Sequence, residues 1–517
     1  MRILVVTSRL AEQLIKEIVD SIKLRNSDKD LKIDVIASKI PVAALMTSRD
    51  LRDLLGALGE RIHEYDLIIT PGLLIGDIGP VCREYGVKCF KGSRYAGDLP
   101  RVIDIVLKGD ELSTIRPADE FIDGMAGMEN TREILLERAV EAFKLRDLRI
   151  PAKPPPILIA SEVVVEGDME RDLKNIDRVV NNKCDILIIG TDVTSNKPEY
   201  IRDLFRVLYK RLSIPIAIDS LNIEEIEEAV REGASIVMNI SRSFEHWIER
   251  ILSISRDIGF VIVPEDVGSG RASERAEACV REYEYFSRKG LDKIILDPII
   301  PFPLFGSIEA IYSISLVKRS LEKVPLLLGA GNIYELIDSD PVGSISLLAV
   351  FGVEVGASIM LVTEESWKSR DATRYARDSS EITARAFIRR SPPIDVGLDL
   401  YIAKSKKPPD RIMIPHDRDI LVEEKIPPTK LDRKRFFVIQ PDYDNKLIEV
   451  YIFLGDPEKA LYRLRGRDPR SLGRKALRLA KIEDPEHAFY LGLELARAYE
   501  ALRTGRAYTQ DEELRSG

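Results

Sequence analysis

Two rhythms of apolar and polar residues run through this chain. Short apolar runs at strand length alternate with longer charged stretches in which apolar residues recur every three or four positions, the spacing of an amphipathic helix. From residue 157 the alternation becomes regular. Apolar runs fall at 157–160, 185–190, 214–219, 235–240, 260–264, 293–297, 326–329 and 357–362. The gaps of about twenty to thirty-five residues suit βα units. Eight units over about 200 residues predict a TIM (β/α)8 barrel. A doubly wound open sheet is the alternative, but it leaves unexplained why polar residues recur at so many strand ends. A helical segment at 369–389 closes the barrel, which is placed at 156–390.

The flanks have the same rhythms with less regularity. Strands are predicted at 3–6, 33–37, 66–70 and 87–90, with helices at 10–24 and 98–107. That is a Rossmann-like or flavodoxin-like α/β domain over 1–150, with neither a GxGxxG fingerprint nor a GxxxxGK[ST] loop. The turn Thr7-Ser8-Arg9 reads either as a helix start or as an anion site. The proline-rich stretch 146–156 reads as a stiff linker, since prolines end the preceding helix. A small α+β domain is predicted over 391–517, with strands at 436–440 and 447–453 and helices at 457–464, 471–481 and 485–503. The apolar face Leu491, Leu495, Ala498 and Leu502 marks the last helix.

Composition narrows the function classes. At 517 residues, 45% hydrophobic and 31% charged, the chain suits a multidomain globular protein. A formal net charge of -8 without a basic block argues against a nucleic-acid binder. The basic run 404–407 reads as a solvated linker. Cys82, Cys89, Cys184 and Cys279 lack CxxC spacing, so they are expected as reduced, buried thiols of a cytoplasmic protein, with no disulfide framework and no metal site. The four histidines do not cluster. Scarce glutamine beside abundant Glu, Lys and Arg is a thermophile-like bias. The longest apolar stretch, 345–362, contains Glu354 and two glycines and reads as a helix then a strand, not a membrane span.

Chemistry in such a barrel sits at the carboxyl ends of the strands. Those ends carry Ser161-Glu162, Thr191-Asp192, Asp219-Ser220, Asn239, Glu265-Asp266, Asp297-Pro298, Gly331-Asn332 and Glu364-Glu365. Several carboxylates at one mouth could bind a divalent metal. They could equally accept hydrogen bonds from a neutral heterocycle rich in N–H groups, because ionised Asp only accepts while Asn both donates and accepts. Structural roles compete with both readings: Asp219 as the amino cap of the next helix, and Asn239 and Asp297 as turn residues. Glu265-Asp266 and Glu364-Glu365 read as rim charges.

Three of these ends resemble one family. Ile214-Pro-Ile-Ala-Ile-Asp-Ser resembles the PISIDT strand of dihydropteroate synthases. Gly233-Ala-Ser-Ile-Val-Met-Asn-Ile-Ser resembles their GAxIINDVS strand, and Ile294-Ile-Leu-Asp-Pro-Ile-Ile-Pro-Phe their IILDPGIGF segment. The three-part chain as a whole resembles archaeal proteins described as dihydropteroate synthase-related. The resemblance implies a pterin-binding barrel in which Asp219, Asn239 and Asp297 hold the pterin ring. Barrels of this family often dimerise, so a homodimer is expected on the same ground.

Departures bear on the reaction. The synthases' Ser-Arg-Lys on strand seven is replaced by Leu328-Gly-Ala-Gly-Asn-Ile, which resembles the Gly-x-Ser-Asn element of pterin-dependent methyltransferases and adds Asn332 as a fourth pterin ligand. The strand-eight Arg-x-His is also missing. Expelling diphosphate needs cations or Mg²⁺ for the developing charge. Arg242, Lys197 and Arg271 are the candidate phosphate-binding residues that could substitute, with Mg²⁺ as a candidate cofactor. Three functions follow as expectations. The first is condensation of a dihydropterin methyl diphosphate with an arylamine in folate or tetrahydromethanopterin biosynthesis. The second is methyl or one-carbon transfer from a reduced pterin. The third is non-catalytic pterin binding.

Overall fold

The computed structural model describes residues 1–25, 31–120, 130–268, 270–402, 434–512 and 514. The chain forms two compact units, Met1–Asp399 and Leu400–Gly517. The basic run at 404–407 lies outside the described residues.

The first unit opens with a four-stranded parallel sheet made of β1 (Arg2–Thr7), β2 (Lys32–Ala37), β3 (Leu67–Thr70) and β4 (Cys89–Lys91), in the order β2-β1-β3-β4. This is the order in which flavodoxin-like sheets begin. One face packs Ile3, Val5, Ile33, Leu67 and Ile69 against the helices Glu12–Arg25 and Leu99–Leu107. The other packs Leu4, Val6 and Ile68 against Leu51, Leu55 and Val81. One expectation fails here. Cys82 and Cys89 form a disulfide, their Cα atoms 6.0 Å apart. The short helix Gly79–Glu84 turns back directly into β4, so two cysteines seven residues apart meet on one sheet face without any CxxC spacing. Cys184 and Cys279 are buried free thiols.

The first part of the stretch read as a stiff linker, up to Pro151, belongs to a hairpin instead. β5 (Glu141–Leu145) and β6 (Leu148–Pro151) pair antiparallel around Arg146-Asp147. Leu145 and Ile150 are fully buried against Leu158, Ile186 and Ile236, which plugs the amino end of the barrel. The prolines that dominate this stretch are Pro151, which ends the hairpin, and three that follow it, while the alternating Phe143, Leu145, Leu148 and Ile150 carry the true signal.

The barrel strands are β7 (Leu158–Val164), β8 (Ile186–Gly190), β9 (Ile216–Asp219), β10 (Ile236–Ile240), β11 (Gly259–Ile262), β12 (Ile294–Leu296), β13 (Leu327–Gly329) and β14 (Ile359–Thr363). Every neighbouring pair is parallel, in the order β12-β11-β10-β9-β8-β7-β14-β13. The ring closes where Leu296 bridges Leu326 and the Leu296 N–H donates to the Pro325 carbonyl at 3.0 Å. The resulting eight-stranded parallel barrel, with helices around it, is the expected TIM architecture. The period of two along each strand sorts the side chains. Ile216, Ile218, Ile159 and Leu187 join the core under the outer helices, whereas Ala217, Ala160, Ile186 and Ile188 fill the interior.

The second unit is a three-stranded antiparallel sheet of β15 (Arg435–Asp442), β16 (Leu447–Leu454) and β17 (Tyr462–Gly466), covered by helices Pro469–Ala480 and Pro485–Thr504. The helix predicted at 457–464 is not formed. Tyr462-Arg-Leu-Arg-Gly alternates at the strand period and pairs with β16 from Ile448 to Ile452. Among the described residues no helix is long and apolar enough to cross a membrane.

Candidate functional site

The alternation that fills the barrel also builds its mouth. On β9, Ala217 points inward and Ile218 outward, so Asp219 points inward at the carboxyl end. By the same count Glu162 on β7, Asp297 after β12, Gly329 on β13 and Thr363 on β14 are inward positions toward the carboxyl ends of their strands. All five line one cavity of about 410 Å³ with Met238, Asn239, Val263, Ile299, Asn332, Glu335, Leu361 and Glu365. That volume lies in the range of small-molecule sites.

β10 needs a special device. Its pairing with β11 slips between Val237 and Ile240, so two residues stand where one would fit. This bulge turns both Met238 and Asn239 into the cavity. Asn239 takes the left-handed conformation (φ 56°), which Asn tolerates better than most residues. Its Nδ2 donates to both carboxylate oxygens of Asp219, each at 2.9 Å. Asp219 is therefore not the cap of the following helix. That role belongs to Asn222, whose side chain accepts from the Glu224 N–H at 2.9 Å.

Asp297 does set a turn, its Oδ1 accepting from the Ile299 N–H at 2.8 Å, while it also lines the cavity. Ile299 sits at φ 55°, a costly conformation for a β-branched residue. Two braces hold it there. The buried Arg275 donates to the carbonyls of Pro298 (3.2 Å) and Ile299 (3.1 Å), and Asn332 Nδ2 donates to the Ile300 carbonyl at 2.8 Å. Asn332 thus keeps its Oδ1 and one amide hydrogen for other partners.

The electrostatics are those of acids in a poorly hydrated hole. Burial pushes the Glu162 carboxyl up to about 8, with Asp219 and Glu365 adding repulsion. Burial raises Asp297 to about 6, opposed by the Ile299 N–H, and it also raises Asp219 against the lowering effect of Asn239.

The three candidate phosphate residues are elsewhere. Arg242 pairs with Glu282 (2.9 Å) and lies over the Tyr285 ring. Lys197 donates to the Glu166 carbonyl at 2.8 Å. Arg271 is exposed at the start of the helix Ala272–Arg288. None of them lines the cavity, and among the described residues no Lys, Arg or His does. Among the described residues no three His, Cys, Asp or Glu side chains converge as metal ligands.

The acidic pairs at the strand ends divide. Glu265 accepts from Ser241 Oγ and the Ser243 N–H, fixing the loop after β10. Glu364 is buried against Arg178 at 3.1 Å, not on the rim, whereas Glu365 lines the mouth. Asp192 folds back on Thr194 in an exposed loop. Sequence reasoning noticed Glu162 but left it out of the pterin set. The signal was available, because Glu162 follows Leu158 and Ala160 at the inward positions of its strand.

Fold and site define a (β/α)8-barrel protein with an acid-and-amide cavity at the carboxyl ends of its strands. A family model described as PterinBD-DUF4346 matches residues 431–511, within the second unit. Along its whole length the chain is similar to the uncharacterized protein MJ0107 of Methanocaldococcus jannaschii, 28% identical over 533 residues and 99% of each chain. Similar solved structures are dihydropteroate synthases. The Yersinia pestis enzyme with a pterine-sulfa conjugate is 16% identical and covers 47% of this chain and 97% of that one, with a TM-score of 0.39. The Coxiella burnetii enzyme in complex with pteroic acid is 18% identical and covers 46% and 94%, with a TM-score of 0.37.

Proposed function

We propose that the barrel mouth binds a pterin and that the protein is a transferase acting on it. The observation that carries this reading is the Asp219–Asn239 pair standing beside Asp297 in one cavity. A pyrimidinone edge offers N–H donors next to a carbonyl acceptor. Asp219 and Asp297 retain acceptor lone pairs for the donors, and the amide of Asn239 is held in a fixed orientation beside them. The match to the PterinBD-DUF4346 model in the second unit agrees with this reading.

Of the two chemistries the resemblance implies, one-carbon transfer at the ring is favoured by a specific observation. Asn332 lines the cavity, while Arg242, Lys197 and Arg271 do not. Condensation with an arylamine would have to expel diphosphate, and among the described residues the cavity lining offers that anion no cation.

The test is binding of a dihydropterin or tetrahydropterin to the full chain, followed by ligand fluorescence. Asp219→Asn and Asp297→Asn are each expected to weaken binding by about tenfold or more, since each replaces an accepting oxygen with a donor. Unchanged affinity in both variants, with folding intact by circular dichroism, would rule out this assignment.

A further inference from the structure

Glu162 has no role in the pterin set just described, yet it is the most unusual group in the cavity. Its side chain lies flat against Gly190, so close that a Cβ on that glycine would stand 2.5 Å from Oε1. Gly190 is the last inward position of β8, and the missing side chain makes room for the carboxyl. Among the described residues Glu162 makes no hydrogen bond and no ion pair. The charged side chains that line the cavity with it, among the described residues, are all acids: Asp219 on β9, Asp297 after β12, Glu365 after β14 and Glu335 on the short helix after β13. On the β8 side it meets Gly190, and the nearby amides Asn239 and Asn332 carry no charge.

The other polar side chains on the cavity floor are poor in donors. Asp219 and Asp297 accept, the Asn239 amide nitrogen donates to Asp219, and Asn332 keeps one amide hydrogen after donating to the Ile300 carbonyl. Thr363 Oγ1 faces Glu335 at 3.5 Å. A pterin presents acceptor atoms as well as donors, and a lining this poor in donors would leave some of them unpaired. A carboxylic acid supplies one O–H donor where a carboxylate supplies none.

Building on the pterin reading, we propose that Glu162 is a specificity residue that contacts the ligand as a neutral carboxylic acid, donating a hydrogen bond to an acceptor atom of the ring. The ligand class that follows is an uncharged, non-phosphorylated pterin. A diphosphate arm would meet Glu335 and Glu365, with no cation among the described lining residues to receive it. The proton stays on Glu162 Oε throughout, so no bond is made or broken. The raised affinity of Glu162 for its proton agrees with this role at neutral pH.

The experiment is calorimetric titration of the full chain with 6-hydroxymethyl-7,8-dihydropterin and with its diphosphate, at pH 6.5 and pH 9.5. For the wild type the alcohol is expected to bind about tenfold or more weaker at pH 9.5, where the acid has ionised. Glu162→Gln keeps an N–H donor at every pH, so its affinity is expected to change much less between the two pH values. Glu162→Ala is expected to be weak at both. The diphosphate is expected to bind at least about tenfold more weakly than the alcohol at pH 6.5. Equal pH profiles for wild type and Glu162→Gln, or tighter binding of the diphosphate, would overturn the proposal while leaving the pterin reading standing. Failure of the wild type to bind either compound would overturn both.

Discussion

At the scale of the residue, the cavity is a place where three acids hold protons more tightly than they would in water. The consequence for stability has a definite sign. Glu162 titrates near 4.5 when unfolded and at about 8 when folded. Between those values the folded chain binds more protons than the unfolded chain, so stability is fully present below the lower value and is lost as pH rises through the upper one. Asp297 contributes with the same sign between 3.8 and about 6. With no ligand added, the thermal midpoint is expected to fall between pH 6.5 and pH 9, when scanned by calorimetry in buffers of matched ionic strength. Glu162→Gln is expected to remove most of that fall. A wild-type midpoint that is flat or rising over this interval would show that Glu162 is already ionised at pH 6.5. Gly190 belongs to the same argument, because an alanine there would push the Glu162 carboxyl out of its place.

At the scale of the element, the strands were legible because alternation and length agree. All eight barrel runs became strands, and the inward positions that end them could be counted from the sequence. Two features resisted that counting. Asn239 reaches the cavity through a bulge, and a period-of-two reading without the bulge turns the sequence 238–240 the wrong way. The hairpin β5–β6 was hidden because the prolines of 151–156 dominate the reading of their neighbours, while the hairpin itself is only nine residues of ordinary alternation plus its turn. The site was less legible than the fold for a related reason. A residue type at a strand end gives the position of a side chain but not its partners, so the commitments of Arg242 to Glu282 and of Lys197 to Glu166 could not be foreseen. The hairpin also makes a mechanical prediction. Leu145 is buried in the barrel interior and packs against Gly259. Leu145→Ala is expected to destabilise the chain by about 2–5 kcal/mol, the range for an emptied core position. Urea unfolding followed by circular dichroism measures this, and a loss below about 1 kcal/mol would mean the hairpin does not plug the barrel.

At the scale of the first unit, the parallel sheet and the barrel share one buried seam. Asp98 precedes the helix Leu99–Leu107 of the sheet layer, and Arg389 ends the last barrel helix, Ala372–Arg389. They pair with Arg389 Nε at 2.9 Å from Asp98 Oδ1, both side chains at least 95% buried, with the guanidinium over the Tyr95 ring. An ion pair hidden this well adds little net stability over an apolar pair of the same shape, but losing one partner strands the other charge away from water. Asp98→Ala is therefore expected to cost about 3–5 kcal/mol, whereas a matched apolar replacement of both residues costs much less. Beside the pair, Gly97 approaches so closely that a Cβ would fall 1.3 Å from the Arg389 carbonyl oxygen. The obstacle is backbone, which cannot swing aside as a side chain does, so Gly97→Ala has to separate the two layers. The two substitutions act on the same contact and should not add when combined. Limited proteolysis tells a seam defect from general unfolding. If the seam alone opens, cleavage is expected first in the sheet layer, and the barrel is expected to survive as a protease-resistant fragment. Simultaneous loss of both layers in Gly97→Ala would mean that the sheet and the barrel fold as one cooperative body and that the seam is part of the barrel's own stability.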